Sequence, residues 1–497
     1  MSCAASQRNP TIDTLPLSVR LPVGFSLRLE EAFDRLKHLP HCLWLDSSAG
    51  GPRNEVMPSL DENDQPLPSD LGRYSFLTAD PVDTLVAQLG EVDPWPRLRQ
   101  WCLDLPTEFH PDLPPFQGGI AGLIGYEAAT WLESVGTAEM DDLPTSAISL
   151  GLYDWTIAVD HQQESAWIIS QGLDGRDPDE RRRLAQSRLE QVQRWLSCEP
   201  ESDASTWKEH AATVLNQHAT AIDGVTSNLS SREYRARVQE IVRRICDGDS
   251  FQVNLAQRLL CRATDTAPDL YVRLREHNPA PFSAFYAGED FHVLSSSPEG
   301  FLKVRDRQVE TRPIKGTVAR TGDIEEDRRL THQLLASDKD LAENVMIVDL
   351  MRNDLSRVCD AESVQVRKLC GIERYEYVQH LVSVVEGRLA EDQTIADLLQ
   401  ATFPGGSITG APKIEAMKTI AQLEPHRRGP YCGSIGYISC GGNADFNILI
   451  RTITAAHGFW QIPVGGGITA RSEPASEEAE TWDKAKGMLA AIQSKND

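Results

Sequence analysis

The chain has 497 residues, with 40% hydrophobic and 25% charged residues and a formal net charge of −24. That length exceeds one ordinary core, so two domains or one large composite body are expected. The acidic balance argues against a nucleic-acid partner, because phosphate contacts need clustered Lys and Arg, but it leaves room for an anionic small substrate held by a locally positive or metal-bearing site.

There is no run of about 18 apolar residues, so no membrane span is expected. Met1 to Arg20 lacks the basic start and apolar block of a secretory signal, which makes the cytoplasm the default. The ten cysteines form no CxxC pair, so buried thiols are expected rather than a zinc ribbon or redox site.

In chain order, residues 1–20 read as a loose tail. Residues 21–196 form an N-terminal region of short strands and turns, such as 42–45, 73–77 and the glycine-punctuated 118–126, ending in a charged helix over 172–196. Residues 197–228, rich in Ser, Ala, Asp and Thr, read as a linker or insertion. A second region covers 229–490. It opens with a helix, because Ser230 and Glu233 have capping-box spacing, Tyr234, Val238, Ile241, Val242 and Ile245 share one face, and Gly248 supplies a stop. Residues 282–286 and 291–295 read as a hairpin about Gly288. The fold class is mixed α and β.

Four carboxylates stand as two pairs at helical spacing, Asp340 with Glu343 and Glu477 with Glu480, and Lys484 lies four beyond Glu480. Spacing of three puts each pair on one side of its helix. Facing each other, they would offer hard oxygen ligands suited to Mg²⁺; apart, they are acidic solvent faces. Lys315 sits between Pro313 and Gly316, at a turn or strand end that can hold a side chain at a cleft. It becomes a nucleophile only when neutral, which needs desolvation or a nearby cation. Glu299, after Ser297-Pro298, is a candidate general acid. Two glycine clusters, at 405–413 and 465–468, read as loops whose amides can hold a carboxylate. Tyr431 and Arg451 could add direct hydrogen bonds, and His380 a proton-transfer or substrate contact.

Together, Ser297-Pro298-Glu299, the 313–317 segment Pro-Ile-Lys-Gly-Thr, the 342–354 segment from Ala342 to Asp354 and the 404–413 segment from Pro404 to Lys413 resemble the chorismate-utilising enzymes. This family holds the large subunits of anthranilate and aminodeoxychorismate synthases, isochorismate synthase and salicylate synthase. The likeness is dense from about 228 to 490 and thinner from 20 to 170, at Arg73-Tyr74-Ser75-Phe76 and Gly118-Gly119. It implies an α+β fold of large sheets packed as a sandwich with outer helices, and makes 229–490 the chorismate-binding catalytic region.

The resemblance also implies roles. Glu343 and Glu480 would bind Mg²⁺ directly, with Asp340 and Glu477 acting through water. Tyr431, Arg451 and the amides of Gly466 and Gly467 would hold the enolpyruvyl carboxylate, while Ser407 and His380 contact the ring. Lys315 resembles the lysine of the aminodeoxychorismate-forming members, where the anthranilate-forming members carry alanine. Gln252 stands where water-activating members carry a lysine, and a neutral amide cannot be that base. Para-amination of chorismate, serving para-aminobenzoate and folate synthesis, is therefore expected. Anthranilate formation and a non-catalytic aromatic-ligand binder are the alternatives. No segment resembles the cysteine elbow of glutaminase domains, and the resemblance implies a separate glutaminase subunit as ammonia source. Residues 43–48 match the region where relatives hold tryptophan.

Overall fold

The computed structural model describes residues 14–22, 24–25, 29–47, 71–199, 214–215, 217–374 and 378–494. Ten helices are described: α1 (Leu29–Leu36), α2 (Trp95–Asp104), α3 (Pro178–Ser197), α4 (Ser231–Cys246), α5 (Ala267–His277), α6 (Ile324–Leu335), α7 (Asp338–Ser356), α8 (Ile395–Thr402), α9 (Lys413–Leu423) and α10 (Pro474–Gln493). The capping box at α4 is formed. Ser230 Oγ accepts from the Glu233 amide, and the Glu233 carboxylate accepts from the Ser230 amide at 2.8 Å.

The strands form two antiparallel sheets. The larger runs β1 (Leu17–Arg20), β8 (Ser165–Ser170), β7 (Trp155–Asp160), β3 (Tyr74–Thr78), β2 (Leu43–Asp46), β12 (Phe282–Ala287), β13 (Phe291–Ser297), β22 (Thr452–Ala456), β23 (Phe459–Thr469), β11 (Gln252–Arg262), β10 (Thr226–Ser227) and β9 (His218–Ala219), with β19 (Gly410–Ala411) also on β11. The smaller runs β16 (Ile314–Ala319), β18 (Val378–Arg388), β15 (Gln308–Thr311), β14 (Gly300–Arg305), β21 (Ala444–Asn447), β20 (Ser434–Ser439), β5 (Gly119–Ile124), β6 (Ile148–Tyr153) and β4 (Asp83–Ala87), with β17 (Gln365–Arg374) on β18.

The expected sandwich is borne out. Phe76, Ala284 and Val293 of the larger sheet share one buried cluster with Leu123, Ile435 and Tyr437 of the smaller, and Phe116 lies 4.8 Å from Tyr437, ring centre to ring centre. Helices cover the outer faces: α1, α3, α5 and α10 pack on the larger sheet around Trp44, Trp155 and Trp460, while a second core joins α4 and α9, on β11 of the larger sheet, to α2, α7, α8 and the smaller sheet. Among the described residues no helix is long and apolar enough to cross a membrane.

Three expectations need correction. Residues 1–13 lie outside the described residues, but Leu17–Arg20, read as tail, is an edge strand paired with β8 and buries Leu17; four residues carry too short a pattern to register in sequence. Within 197–228, positions 200–213 and 216 lie outside the described residues. Of the rest, 218–219 and 226–227 extend the larger sheet beyond β11 rather than linking two bodies. Finally, residues 465–467 are no loop: they sit inside β23, each opposite a residue of β11.

Candidate active site

The chain crosses from the larger sheet to the smaller between β13 and β14, and returns between β21 and β22. The two crossings lie side by side and are bonded to each other. Ile448 N donates to Glu299 O at 3.0 Å, Ser296 N to Arg451 O at 3.1 Å and Ser297 Oγ to Ile448 O at 2.5 Å. Glu299 is thereby set on one crossing and Arg451 on the other. Arg451 adopts a left-handed φ of 52°, uncommon for a residue with a side chain.

Lys315 stands on β16 where the register with β18 slips between Ile314 and Thr317. Such a bulge re-aims a side chain out of the ladder. Gly316, at φ 76°, makes it possible, since a Cβ there would sit 2.6 Å from Leu334 Cδ1 and 3.1 Å from Asp340 Cγ. Lys315 Nζ donates to Ser407 O at 3.3 Å, and that carbonyl also accepts from Asn254 Nδ2 at 3.0 Å. Burial pulls the Lys315 amine below its ordinary pKa, with the Lys484 charge helping and those of Glu343 and Glu299 opposing. Burial pushes the Glu299 carboxyl up, against the pull of Lys315 and a hydrogen bond from Ser407. An amine biased to neutral thus adjoins a carboxyl biased to protonated, which are the states a nucleophile and a general acid require.

Asp340 and Glu343 enter from α7, Glu477 and Glu480 from α10. They converge on one region. Burial raises the Glu343 carboxyl, and the charges of Asp340 and Glu477 add to the rise. A Cβ on Gly466 would meet Glu480 Oε1 at 3.4 Å and Glu477 Oε2 at 3.5 Å. They do not form a closed ligand set, however: among the described residues no three acidic, His or Cys side chains are gathered to hold a metal ion. Lysines reach these carboxylates instead. Lys339 Nζ lies 3.5 Å from Glu477 and 3.9 Å from Glu343, and Lys484 Nζ lies 2.6 Å from Glu480 and donates to Gly465 O at 2.8 Å. Burial would raise Glu480, but Lys484 outweighs it and holds Glu480 below the ordinary range. The donor chemistry still suits Mg²⁺, as these are hard oxygens and Glu343 Oε1 is buried with no hydrogen-bond partner.

His380 faces Thr317 across β16–β18, its Nδ1 2.9 Å from Thr317 Oγ1, and burial with the nearby Arg451 charge lowers its pKa to about 4, so it is neutral at physiological pH. The Arg451 guanidinium donates to Lys484 O at 3.2 Å and has no carboxylate partner among the described residues. Tyr431 is buried, its ring 5.8 Å from the Arg428 guanidinium carbon. Gly467 lies opposite Asn254, and a Cβ on it would come 2.5 Å from Gln252 Nε2. Gln252 is fully buried, with Oε1 unpartnered.

All thirteen residues singled out by sequence thus fall in the region bounded by the crossings, the bulge, the Ser407 turn, β23 and the α7 and α10 faces. The family description "chorismate binding enzyme" matches residues 62–490. Aminodeoxychorismate synthase component 1 of Klebsiella aerogenes is 41% identical over 85% of this chain and 91% of its own length. Anthranilate synthase component 1 of Streptomyces coelicolor is 38% identical over 86% of this chain and 82% of its own. The solved anthranilate synthase component I of Streptococcus pneumoniae superposes with TM-score 0.71 at 29% identity, covering 89% of this chain and 98% of that one.

The chain belongs to the chorismate-binding enzymes.

In this chorismate-binding enzyme, Asn254, Lys339 and Arg428 touch the site and escaped the sequence reading. Asn254 stands two residues from Gln252 on the same strand face and Lys339 four before Glu343, a spacing that could have flagged each; Arg428 carried no local signal. The tryptophan-region segment is described to Ser47, and Ser48 lies outside the described residues. Leu45, Asp46 and Ser47 line a cavity of about 130 Å³ with Tyr74, Phe282 and Tyr437, and Lys315 is not part of its lining.

Proposed function

We propose that this chain aminates chorismate at C4, forming 4-amino-4-deoxychorismate for para-aminobenzoate and folate synthesis in the cytoplasm. The supporting observation is the Lys315 amine, set on its bulge beside Glu299 and Ser407 where burial favours the neutral form. The Lys315 nitrogen bonds to ring C2 as the C4–O bond breaks, and the Glu299 proton leaves with that oxygen as water. Ammonia then bonds to C4 while the C2–N bond breaks, returning the electron pair to Lys315. Arg451, Tyr431 and the Gly466 and Gly467 amides hold the enolpyruvyl carboxylate. Ser407 and neutral His380 face the ring, and Gln252 donates or accepts without acting as a base.

The acidic side chains would hold Mg²⁺, Glu343 and Glu480 directly and Asp340 and Glu477 through water. When bound, the ion neutralises and anchors the ring carboxylate. Ammonia comes from a separate glutaminase subunit. Tryptophan beside residues 45–47 is a structural ligand in this proposal. The decisive assay incubates the protein with chorismate, Mg²⁺ and an ammonium salt, then separates the products. Aminodeoxychorismate is expected; anthranilate in quantity would assign ortho-amination instead, and binding without turnover would assign a ligand-binding relative.

A further inference from the structure

The edge of β11 that faces away from β23 is only partly covered by strands. β19 pairs with it at Gln252 and Val253, and β10 at Leu259 and Leu260. In the gap, side chains take several of the rungs, beside two backbone bonds from Asn254 N to Thr409 O at 2.9 Å and from Asn228 N to Arg258 O at 3.0 Å. Asn254 O accepts from Arg428 Nη2 at 3.2 Å, Ala256 N donates to Glu424 Oε1 at 2.8 Å, and Arg258 N donates to Asn228 Oδ1 at 2.7 Å.

Arg428 and Glu424 are both buried and form a two-pronged pair, at 2.8 Å from Nε and 2.6 Å from Nη2. Arg428 Nη1 also donates to Ile408 O at 3.1 Å, the residue after Ser407, and its cation lies over the rings of Tyr126 at 4.7 Å and Tyr431 at 5.8 Å. Its backbone is fixed too, since Arg428 N donates to Glu127 Oε1 at 2.8 Å. One planar fork therefore touches the Ser407 turn, the strand bearing Gln252 and Asn254, and the Tyr431 ring. A lysine, with a single compact charge, could not make these bonds at once. Opposite this stretch of β11 stand Gly466 and Gly467, paired with Leu255 and Asn254.

We propose that the Arg428–Glu424 pair is a positioning device for carboxylate recognition, standing in for a missing strand so that Tyr431, the Ser407 turn and the glycine edge of β23 keep one geometry. Neither residue reaches the reacting atoms. Because the groups they hold bind a carboxylate that does not react, their misplacement should fall on substrate binding rather than on turnover.

The test uses Arg428→Lys and the milder Glu424→Gln in the full chain, with steady-state kinetics on chorismate and hydrogen exchange without substrate. The KM for chorismate should rise about 10- to 100-fold in Arg428→Lys while kcat falls less than about fivefold, since an interaction common to ground and transition states is being lost. Amide exchange should quicken at 407–409 and 465–467 while the helices on the larger sheet, α1 and α3, stay protected. The kinetic arm rests on the chorismate proposal and the exchange arm does not. A wild type inactive on chorismate would sink that proposal and leave the exchange result to decide this one. Unchanged KM with unchanged exchange, or exchange quickened throughout the fold, would overturn positioning. So would failure of both variants to fold, which would leave the pair a stability element alone.

Discussion

At Lys315 a buried amine and a buried carboxyl each oppose the other's shift, and desolvation, the larger cause in both, still favours the neutral form of each. Replacing Lys315 with Ala should abolish any covalent adduct seen by mass spectrometry after incubation with chorismate and no ammonia; an undiminished adduct would place the nucleophile elsewhere. The pH dependence of kcat follows from the two directions. Lys315 must be neutral, so the rate rises with pH through its lowered pKa. Glu299 must carry a proton, so the rate falls as pH rises through its raised pKa. Glu299→Gln should therefore lose the alkaline limb and about 10²- to 10⁴-fold in kcat, the usual worth of a general acid. An alkaline limb that survives in this variant would mean another group supplies the proton.

Elements decide which of these side chains meet. The bulge in β16 turns Lys315 inward, the paired crossings set Glu299 and Arg451 in neighbouring positions, and the continuity of β23 past the end of β22 presents Gly466 and Gly467 to the site. The glycines of β23 are there for close approach. In Gly467→Ala the new methyl would press on the Gln252 amide, 2.5 Å away, and reach Asn254 Oδ1 at 3.1 Å. Both neighbours are side-chain ends, so the fold should lose no more than about 1–3 kcal/mol, the ordinary penalty of overpacking. The site should suffer more, with KM for chorismate rising about tenfold; chemical denaturation and initial-rate measurements would show whether stability and binding separate in this way.

Across the whole molecule, neither sheet belongs to one half of the sequence. β2 pairs with β12, β20 with β5, and Phe76 and Tyr437 meet ring to ring at 5.4 Å in the sandwich interior. Removing residues 1–213 would strip β1, β8, β7, β3 and β2 from one sheet and β5, β6 and β4 from the other, exposing long edges and apolar faces. A fragment of 214–497 is expected to lack a cooperative thermal transition and to bind a hydrophobic dye, while the full chain melts in one step. A fragment that folded cooperatively would show that the catalytic region has its own core.

Sequence alone determined the local facts. The capping box at Ser230, the hairpin about Gly288, the carboxylate pairs at helical spacing and the motifs around Lys315 and Glu299 each depend on residues close in the chain, where propensity and periodicity speak directly. The resemblance carried the family, and supplied the proposed residue roles that spacing could not. Tertiary structure alone decided that Leu17–Arg20 is a strand, that 465–467 lie within β23, that both sheets are composite, and that Arg428 reaches three parts of the site. Those outcomes depend on pairing between distant segments, and a short strand, a glycine run or a lone arginine has no local pattern that foretells its partner.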